Sequence, residues 1–406
     1  MYFFRKVKYI FVFFILVNLS FFASFDRNIT ILISFDGFRY DYMDLVETPN
    51  FDFIEKNGVK ANSLKPIFPS FTFPNHYSIA TGCYTDKHGI LGNVFYDFNR
   101  NQTYSYKDAS TVRDGSWYGC EPIWVTAEKN NIKSATYFWV GSEAKINNYR
   151  PSIYKYYKNG VDPIEKINEV ISWIEYPKEE QPELITLYFN EPDHSGHVYG
   201  SEALNTLDEI VYADYLLGYL LFSLSSAGLE NAVNLIIVSD HGMVDVSVDR
   251  TINIDNIIDH DYKVYGKGPF LELHDGSYLN VKNTYANFTI YNKHTIPYEF
   301  HFKTDNTGDY LLLADLGYLL YSNKDIEEGL PVIGMHGYDP NYMNMHGIFY
   351  AYGPDFQANM KISTFELIHI YPLMCEILHI QPYDNIDGSL NVLEHILKWI
   401  YFIQII

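Results

Sequence analysis

Ile29-Thr30-Ile31-Leu32-Ile33-Ser34-Phe35-Asp36-Gly37 is the segment from which the architecture can be read. A β-branched, apolar run of this length reads as a buried strand, and it ends abruptly on a carboxylate and a glycine. The arrangement recurs. Leu184 to Phe189 runs into Asn190-Glu191-Pro192-Asp193, Leu235 to Val238 into Ser239-Asp240-His241-Gly242, and Ile348 to Tyr352 into Gly353-Pro354. Helical periodicity covers Pro49 to Asn57, Glu121 to Asn130, Pro163 to Ile174, Ala203 to Ala227 and Thr364 to Leu378. Alternating β and α elements predict an α/β fold with a mainly parallel central sheet and helices on both faces. In such sheets ligands bind beyond the carboxyl ends of the strands, where three of the acidic clusters fall.

From about residue 250 to 331 the texture changes to short alternating runs such as Tyr285 to Tyr291. We read this as an insertion packed beside the main sheet, because His336 follows it and must return to the site. The folded domain is expected over residues 28 to 392, with an apolar tail over 393 to 406. Leu390 to Ile406 is interrupted by Glu394, His395 and Lys398, which favours a terminal amphipathic helix over a membrane span. Residues 1 to 25 carry Arg5, Lys6 and Lys8 before an apolar run from Tyr9 to Val17, the layout of a secretory signal peptide or a short signal anchor. An exported protein, extracellular or held at the cell surface by membrane anchoring, follows from either reading. Sequons at Asn28, Asn101 and Asn287 agree with export. Of the three cysteines, Cys83 and Cys120 are candidate disulfide partners, and none has metal-ligand spacing. The net charge of -21 repels polyanions and excludes binding to nucleic-acid polymers.

An acidic protein that acts on a small phosphate ester needs concentrated positive charge, which metal ions supply. Asp36, the pair Asp193 and His197, the pair Asp240-His241, and His336 provide hard and borderline ligands for two zinc ions. Asp193 and His197 are four apart, so on a helix they face one way. Asp240 and His241 can both ligate only where the backbone turns, which Gly242 allows. Each aspartate alone reads as a helix cap or a solvated charge; four clusters together read as a metal site. Thr72 lies in Phe71-Thr72-Phe73-Pro74-Asn75-His76, at an expected helix start that would stabilise an alkoxide or a phosphate.

Six stretches carry a family resemblance: Ser34-Phe35-Asp36-Gly37-Phe38-Arg39, Phe71 to Tyr77, His88 to Asn93, Glu191 to His197, Ser239 to Met243, and His336-Gly337-Tyr338-Asp339. Together they resemble the ectonucleotide pyrophosphatase/phosphodiesterase family of the alkaline phosphatase superfamily, in a short form with the catalytic domain only. The resemblance implies an alkaline-phosphatase-like three-layer sandwich. It implies one zinc on Asp36, Thr72, Asp240 and His241, and the other on Asp193, His197 and His336. Thr72 would be the nucleophile of a phospho-threonine mechanism, and Asn93 would donate to the phosphoryl oxygen alongside a backbone amide near Thr72. Phe73 and Tyr157 resemble the pair that sandwiches a nucleobase. Phe71 and Val94 stand where triphosphate-cleaving members carry lysines, which favours dinucleotides or simple phosphodiesters. His346 is read as structural, and His76, His88 and His194 as packing or hydrogen-bonding residues. The expected activity is hydrolysis of phosphodiester or pyrophosphate bonds in extracellular nucleotides or dinucleotides, releasing a nucleoside 5′-monophosphate. A choline-lipid phosphodiesterase of the same family is the alternative, and a non-enzymatic cell-surface glycoprotein is the alternative of another class.

Overall fold

The computed structural model describes residues 27–258, 262–274, 287–328 and 333–398. The expected signal segment and the last eight residues of the tail lie outside these ranges. The opening run forms β1 (Ile29–Phe35), and all seven of its residues are buried. At roughly 2 kcal/mol for each large apolar side chain, its Ile, Leu and Phe residues alone contribute on the order of 10 kcal/mol of transfer free energy.

Seven more strands complete the sheet: β2 (Val59–Ala61), β3 (Ser134–Tyr137), β4 (Ile153–Tyr154), β5 (Leu184–Phe189), β6 (Val233–Val238), β7 (Phe349–Tyr352) and β8 (Met360–Ile362). Their spatial order is β8-β2-β7-β6-β1-β5-β3-β4. β1 pairs in parallel with both β5 and β6, Ser34 lying opposite Tyr188 and Val238. Only β7 runs against its neighbours β2 and β6.

Side chains alternate between the two faces along β1. Ile31, Ile33 and Phe35 pack with Phe51 and Ile54 of α1 (Pro49–Asn57), with Ile167 and Val170 of α4 (Pro163–Ile174), and with Ile210 and Leu217 of α6 (Leu204–Ser226). Leu32 faces the other way, toward α2 (Thr72–Thr81), α3 (Ile123–Lys129) and α7 (Ile370–Ile377). The result is three layers, helices on both sides of a mainly parallel sheet, and it places the ends of β1, β5 and β6 side by side.

The bounds of α1 and α4 coincide with the sequence reading because proline sets the start of each. Two expectations at the carboxyl end need correction. The helix read over Thr364 to Leu378 begins only at Ile370, because Phe365–Glu366 pairs in parallel with Leu64–Lys65. The terminal amphipathic helix is replaced, within the described residues, by two 3-10 turns, Leu390–Val392 and Glu394–Ile396. There a bridge between Phe356 and Leu397 holds the chain extended, and Leu393 and Ile396 are fully buried, so the tail begins inside the domain core.

The insertion is a four-stranded antiparallel sheet, in the order Lys263–Gly266, Phe270–His274, Tyr310–Ala314 and Phe288–Asn292. Its core of Ile254, Leu271, Leu273 and Leu312 closes on Tyr338 and Met345. Phe270 meets Phe68 and Phe71 of the main domain. Cys83 and Cys120 form a disulfide, and Cys375 is free and buried.

Candidate active site

Asp36 directly follows β1, Asp193 opens the short helix α5 (Asp193–Tyr199) after β5, and Asp240-His241 follow β6. These are three adjacent strands, so the three clusters meet at one edge of the sheet. The chain turns at Gly242, whose added Cβ would lie 2.2 Å from the Asn344 carbonyl oxygen. Only glycine permits that approach, and with it both Asp240 and His241 face the site.

Two groups of convergent ligand atoms result: Asp36, Asp240 and His241 in one, and Asp193, His197 and His336 in the other. In the first, His241 Nε2 lies 3.1 Å from Asp240 Oδ2 and 3.4 Å from Asp36 Oδ1. In the second, Asp193 Oδ1 lies 3.4 Å from His197 Nε2 and 3.5 Å from His336 Nε2. The two Nε2 atoms are 3.2 Å apart. The rings of His241 and His336 stack at 3.5 Å, which sets the two groups side by side.

The tautomers follow from the outer nitrogens. His241 Nδ1 donates to the Gly242 carbonyl at 2.9 Å, His197 Nδ1 to Gly334 at 2.8 Å, and His336 Nδ1 to Ser70 at 2.8 Å. A carbonyl can only accept, so each Nδ1 carries a proton and each Nε2 is the nitrogen that faces inward. The carboxylate oxygens face these nitrogens. Asp36 Oδ1 and Asp193 Oδ1 are buried without a hydrogen-bond partner, and Asp240 Oδ2 has His76 Nδ1 at 3.2 Å, a nitrogen that also faces the Thr72 carbonyl. Carboxylate oxygens held against imidazole nitrogens can share only a proton or a metal cation, so these residues fit divalent metal ions.

Burial would lower the His241 imidazole and raise the Asp240 carboxyl, but their mutual attraction outweighs it: His241 is pulled above its ordinary range, and His241 with His76 holds Asp240 well below its own. Burial first, then the neighbouring carboxylates of Asp240 and Asp193, push the Asp36 carboxyl well above its ordinary range. Burial, then the nearby His241 and His197, push the His336 imidazole well below its ordinary range. Burial also keeps the Tyr188 phenol protonated, and its hydroxyl donates to Asp36 Oδ2 at 2.5 Å.

Thr72 is the first residue of α2, with Phe71 as the N-cap. Its Oγ1 lies 3.3 Å from His241 Nε2. Asn93 Oδ1 accepts the Phe73 N–H at 2.9 Å. That bond occupies the Phe73 amide and fixes the Asn93 side chain, leaving the Nδ2 hydrogens available at the same helix end. The rings of Phe73 and Tyr157 do not touch: Phe73 backs on Tyr104 and Tyr106, and Tyr157, half exposed, on Phe138 and Tyr188. Phe71 packs edge-on against His336 at 5.6 Å, and Val94 is exposed.

His346 is buried between the Ser63 hydroxyl and the Pro340 carbonyl, away from both groups. His88 bonds Ser78 and the Ile90 amide, and burial pushes its imidazole down to about 3. His194 is exposed. His76 stands directly behind the site, its Nδ1 3.0 Å from the Thr72 carbonyl and its Nε2 2.8 Å from Ser34 Oγ. The sequence reading missed Tyr188 and Ser34. Both lie inside apolar strand runs, where only their polar identity at a buried position could have marked them.

Residues 30–339 match the family described as type I phosphodiesterase / nucleotide pyrophosphatase. The chain belongs to this family. It is 35% identical over 395 residues to the venom phosphodiesterase CdcPDE of Crotalus durissus collilineatus, a match covering 93% of this chain and 47% of that protein. It is 36% identical over 396 residues to human ectonucleotide pyrophosphatase/phosphodiesterase family member 1, covering 93% of this chain and 42% of that one. The chain therefore spans about half the length of the curated relatives it matches. Among solved structures, murine ectonucleotide pyrophosphatase/phosphodiesterase 5, an inactive threonine-to-alanine variant in complex with AMP, superposes with a TM-score of 0.85 at 31% identity. That match covers 91% of this chain and all of the other. The likeness in fold therefore spans more of the chain than the family match does.

Proposed function

We propose that the chain hydrolyses phosphodiester or pyrophosphate bonds in extracellular nucleotides or dinucleotides, using two zinc ions and a phospho-threonine intermediate, and releases a nucleoside 5′-monophosphate. One observation carries the reading. Six side chains aim ligand atoms at two adjacent points, buried carboxylate oxygens among them lack a hydrogen-bond partner, and the Thr72 hydroxyl is at the edge of the first.

Asp36, Asp240, His241 and Thr72 would hold one zinc, and Asp193, His197 and His336 the other. Bound there, the ions supply the positive charge that makes the Thr72 hydroxyl acidic and offsets charge on the phosphoryl and departing oxygens. Thr72 Oγ gives its proton to solvent and attacks phosphorus in line, forming the Oγ–P bond as the opposite ester oxygen leaves with its electron pair and takes up a proton from water. The Asn93 amide donates to a phosphoryl oxygen, and the amino end of α2 favours the same negative charge. Water then displaces Thr72 from phosphorus and regenerates the hydroxyl. Phe73 and Tyr157 would stack on the nucleobase, which suits any base. With Phe71 and Val94 near the phosphate there is no added cation for a triphosphate tail. The proposed export of the protein rests on the apolar segment before residue 26, outside the described residues.

The test is hydrolysis of a p-nitrophenyl nucleotide ester by purified protein with and without chelator, alongside Thr72→Ala. Chelator should abolish turnover and added Zn2+ restore it, and Thr72→Ala should lower kcat at least 1,000-fold, about 4 kcal/mol of barrier, while leaving the fold intact. Turnover that survives both treatments ends the proposal. Mass analysis of products from NAD and from lysophosphatidylcholine separates the nucleotide reading from the choline-lipid one.

A further inference from the structure

We propose that Tyr188 is a positioning residue for the Asp36, Asp240 and His241 cluster: by binding Asp36 Oδ2 it leaves that carboxylate one oxygen, Oδ1, to offer in one fixed direction. The inference rests on reading the cluster as a metal centre and concerns how this chain's own residues shape it.

Each ligand histidine is aimed by a backbone carbonyl, and Asp240 Oδ1 is held by the Gly37 N–H at 3.2 Å. Asp36 is different, because the lock on its outer oxygen is another side chain. The Tyr188 hydroxyl approaches Oδ2 to 2.5 Å, while Oδ1 is left buried without a partner and faces His241. A carboxylate with two free oxygens can turn about χ2 or chelate through both, and one already hydrogen-bonded at Oδ2 can do neither without breaking that bond.

The phenol is itself fixed. Tyr188 sits on β5 opposite Ser34 of β1, two residues ahead of Asp36. Its ring meets the His76 imidazole edge-on at 5.3 Å and 74°. Its carbonyl accepts from Lys166 Nζ at 3.1 Å, a lysine 3% exposed that lies 5.4 Å over the rings of both Phe138 and Phe189. A rigid strand thus carries a rigid phenol to the outer oxygen of Asp36.

Tyr188→Phe removes one oxygen and keeps the ring. Zn2+ binding to the purified full chain, titrated against a metal buffer, should then show one of two equivalents weakened 10- to 100-fold, the usual cost of losing an outer-shell partner. At limiting metal, kcat should fall with KM unchanged, and excess metal should restore it. In an Asp36→Ala background, Tyr188→Phe should cause no further loss, because its partner is gone. The proposal is overturned if Tyr188→Phe binds both equivalents as tightly as the parent, or if the same loss appears in the Asp36→Ala background. A parent chain that binds no Zn2+ overturns the proposed function and this inference together, whereas a parent that binds two equivalents beside an unaffected variant overturns this inference alone.

Discussion

Replacing Asp36 by asparagine should stabilise the metal-free protein and destabilise the metal-loaded one. The ligand atoms of Asp36, Asp240 and His241 lie within 4.8 Å of one another. Two carboxylates at that separation repel by about 3 kcal/mol at an effective dielectric of 20. The asparagine removes that repulsion, and its Nδ2 offers an N–H to the facing acceptors at every pH. Proton uptake by Asp36 limits the strain in the parent, so the net gain in chelator at pH 8 should be about 2 kcal/mol. The sign with pH follows from the raised Asp36 value. Unfolded Asp36 loses its proton near the ordinary 3.8 while the folded one keeps it, so metal-free stability falls as pH rises above about 4. The variant lacks this slope, so the two proteins should converge at low pH and diverge above it. With metal at about a thousandfold over its dissociation constant the parent gains about 4 kcal/mol per site, and the variant should lose most of one such gain. Urea unfolding followed by the fluorescence of the buried Trp124 and Trp173 reads each case. An Asp36→Asn protein less stable than its parent in chelator at pH 8 would refute the reasoning, because Asp36 would then be satisfied without a cation.

Gly337 has φ +109°, and an added Cβ would lie 2.3 Å from the Phe71 ring, so Gly337→Ala should cost about 3 kcal/mol and weaken metal binding at His336. Phe71→Ala in the same chain should recover part of the stability, and denaturant midpoints of both variants test it. Burial pushes the Lys166 ammonium from 10.5 down to about 8, which at 1.36 kcal/mol per pH unit is a penalty of about 3 kcal/mol, complete below pH 8 and fading toward pH 10.5. Lys166→Met should therefore stabilise the protein by about 2 kcal/mol at pH 6.5, allowing for the lost bond to the Tyr188 carbonyl, and give no gain at pH 10.5. Breaking the Cys83–Cys120 link, separated by 37 residues, should cost about 4 kcal/mol by loop-closure entropy, read as the urea midpoint of the double serine variant. Cys375, whose thiol burial pushes up to about 12, should react with a thiol reagent only after unfolding.

Much of this protein is written locally. A seven-residue apolar run must bury both faces, a proline at the first helical position starts α1 and α4 where it stands, and Asp36, Asp240 and His241 fall at strand ends because the apolar runs stop there. Spacing of four places Asp193 and His197 on one side of α5. Local pattern failed where a distant strand competed for the backbone. Phe365–Glu366 pairs with Leu64–Lys65 instead of extending α7, and Leu397 bridges Phe356 instead of joining a terminal helix. The partners that aim the ligands were the least legible part. The carbonyls of Gly242, Gly334 and Ser70 belong to the backbone, which every residue shares, so no residue type announces them. Tyr188 looks like one more aromatic in a buried strand until the register of β1 against β5 brings its hydroxyl to Asp36. Side-chain chemistry at strand and helix ends thus marked, before any fold was known, the groups that are candidate metal ligands and the hydroxyl proposed to attack. Which of their atoms converge and which are already occupied follows from the fold alone, because that depends on contacts between segments far apart in the chain.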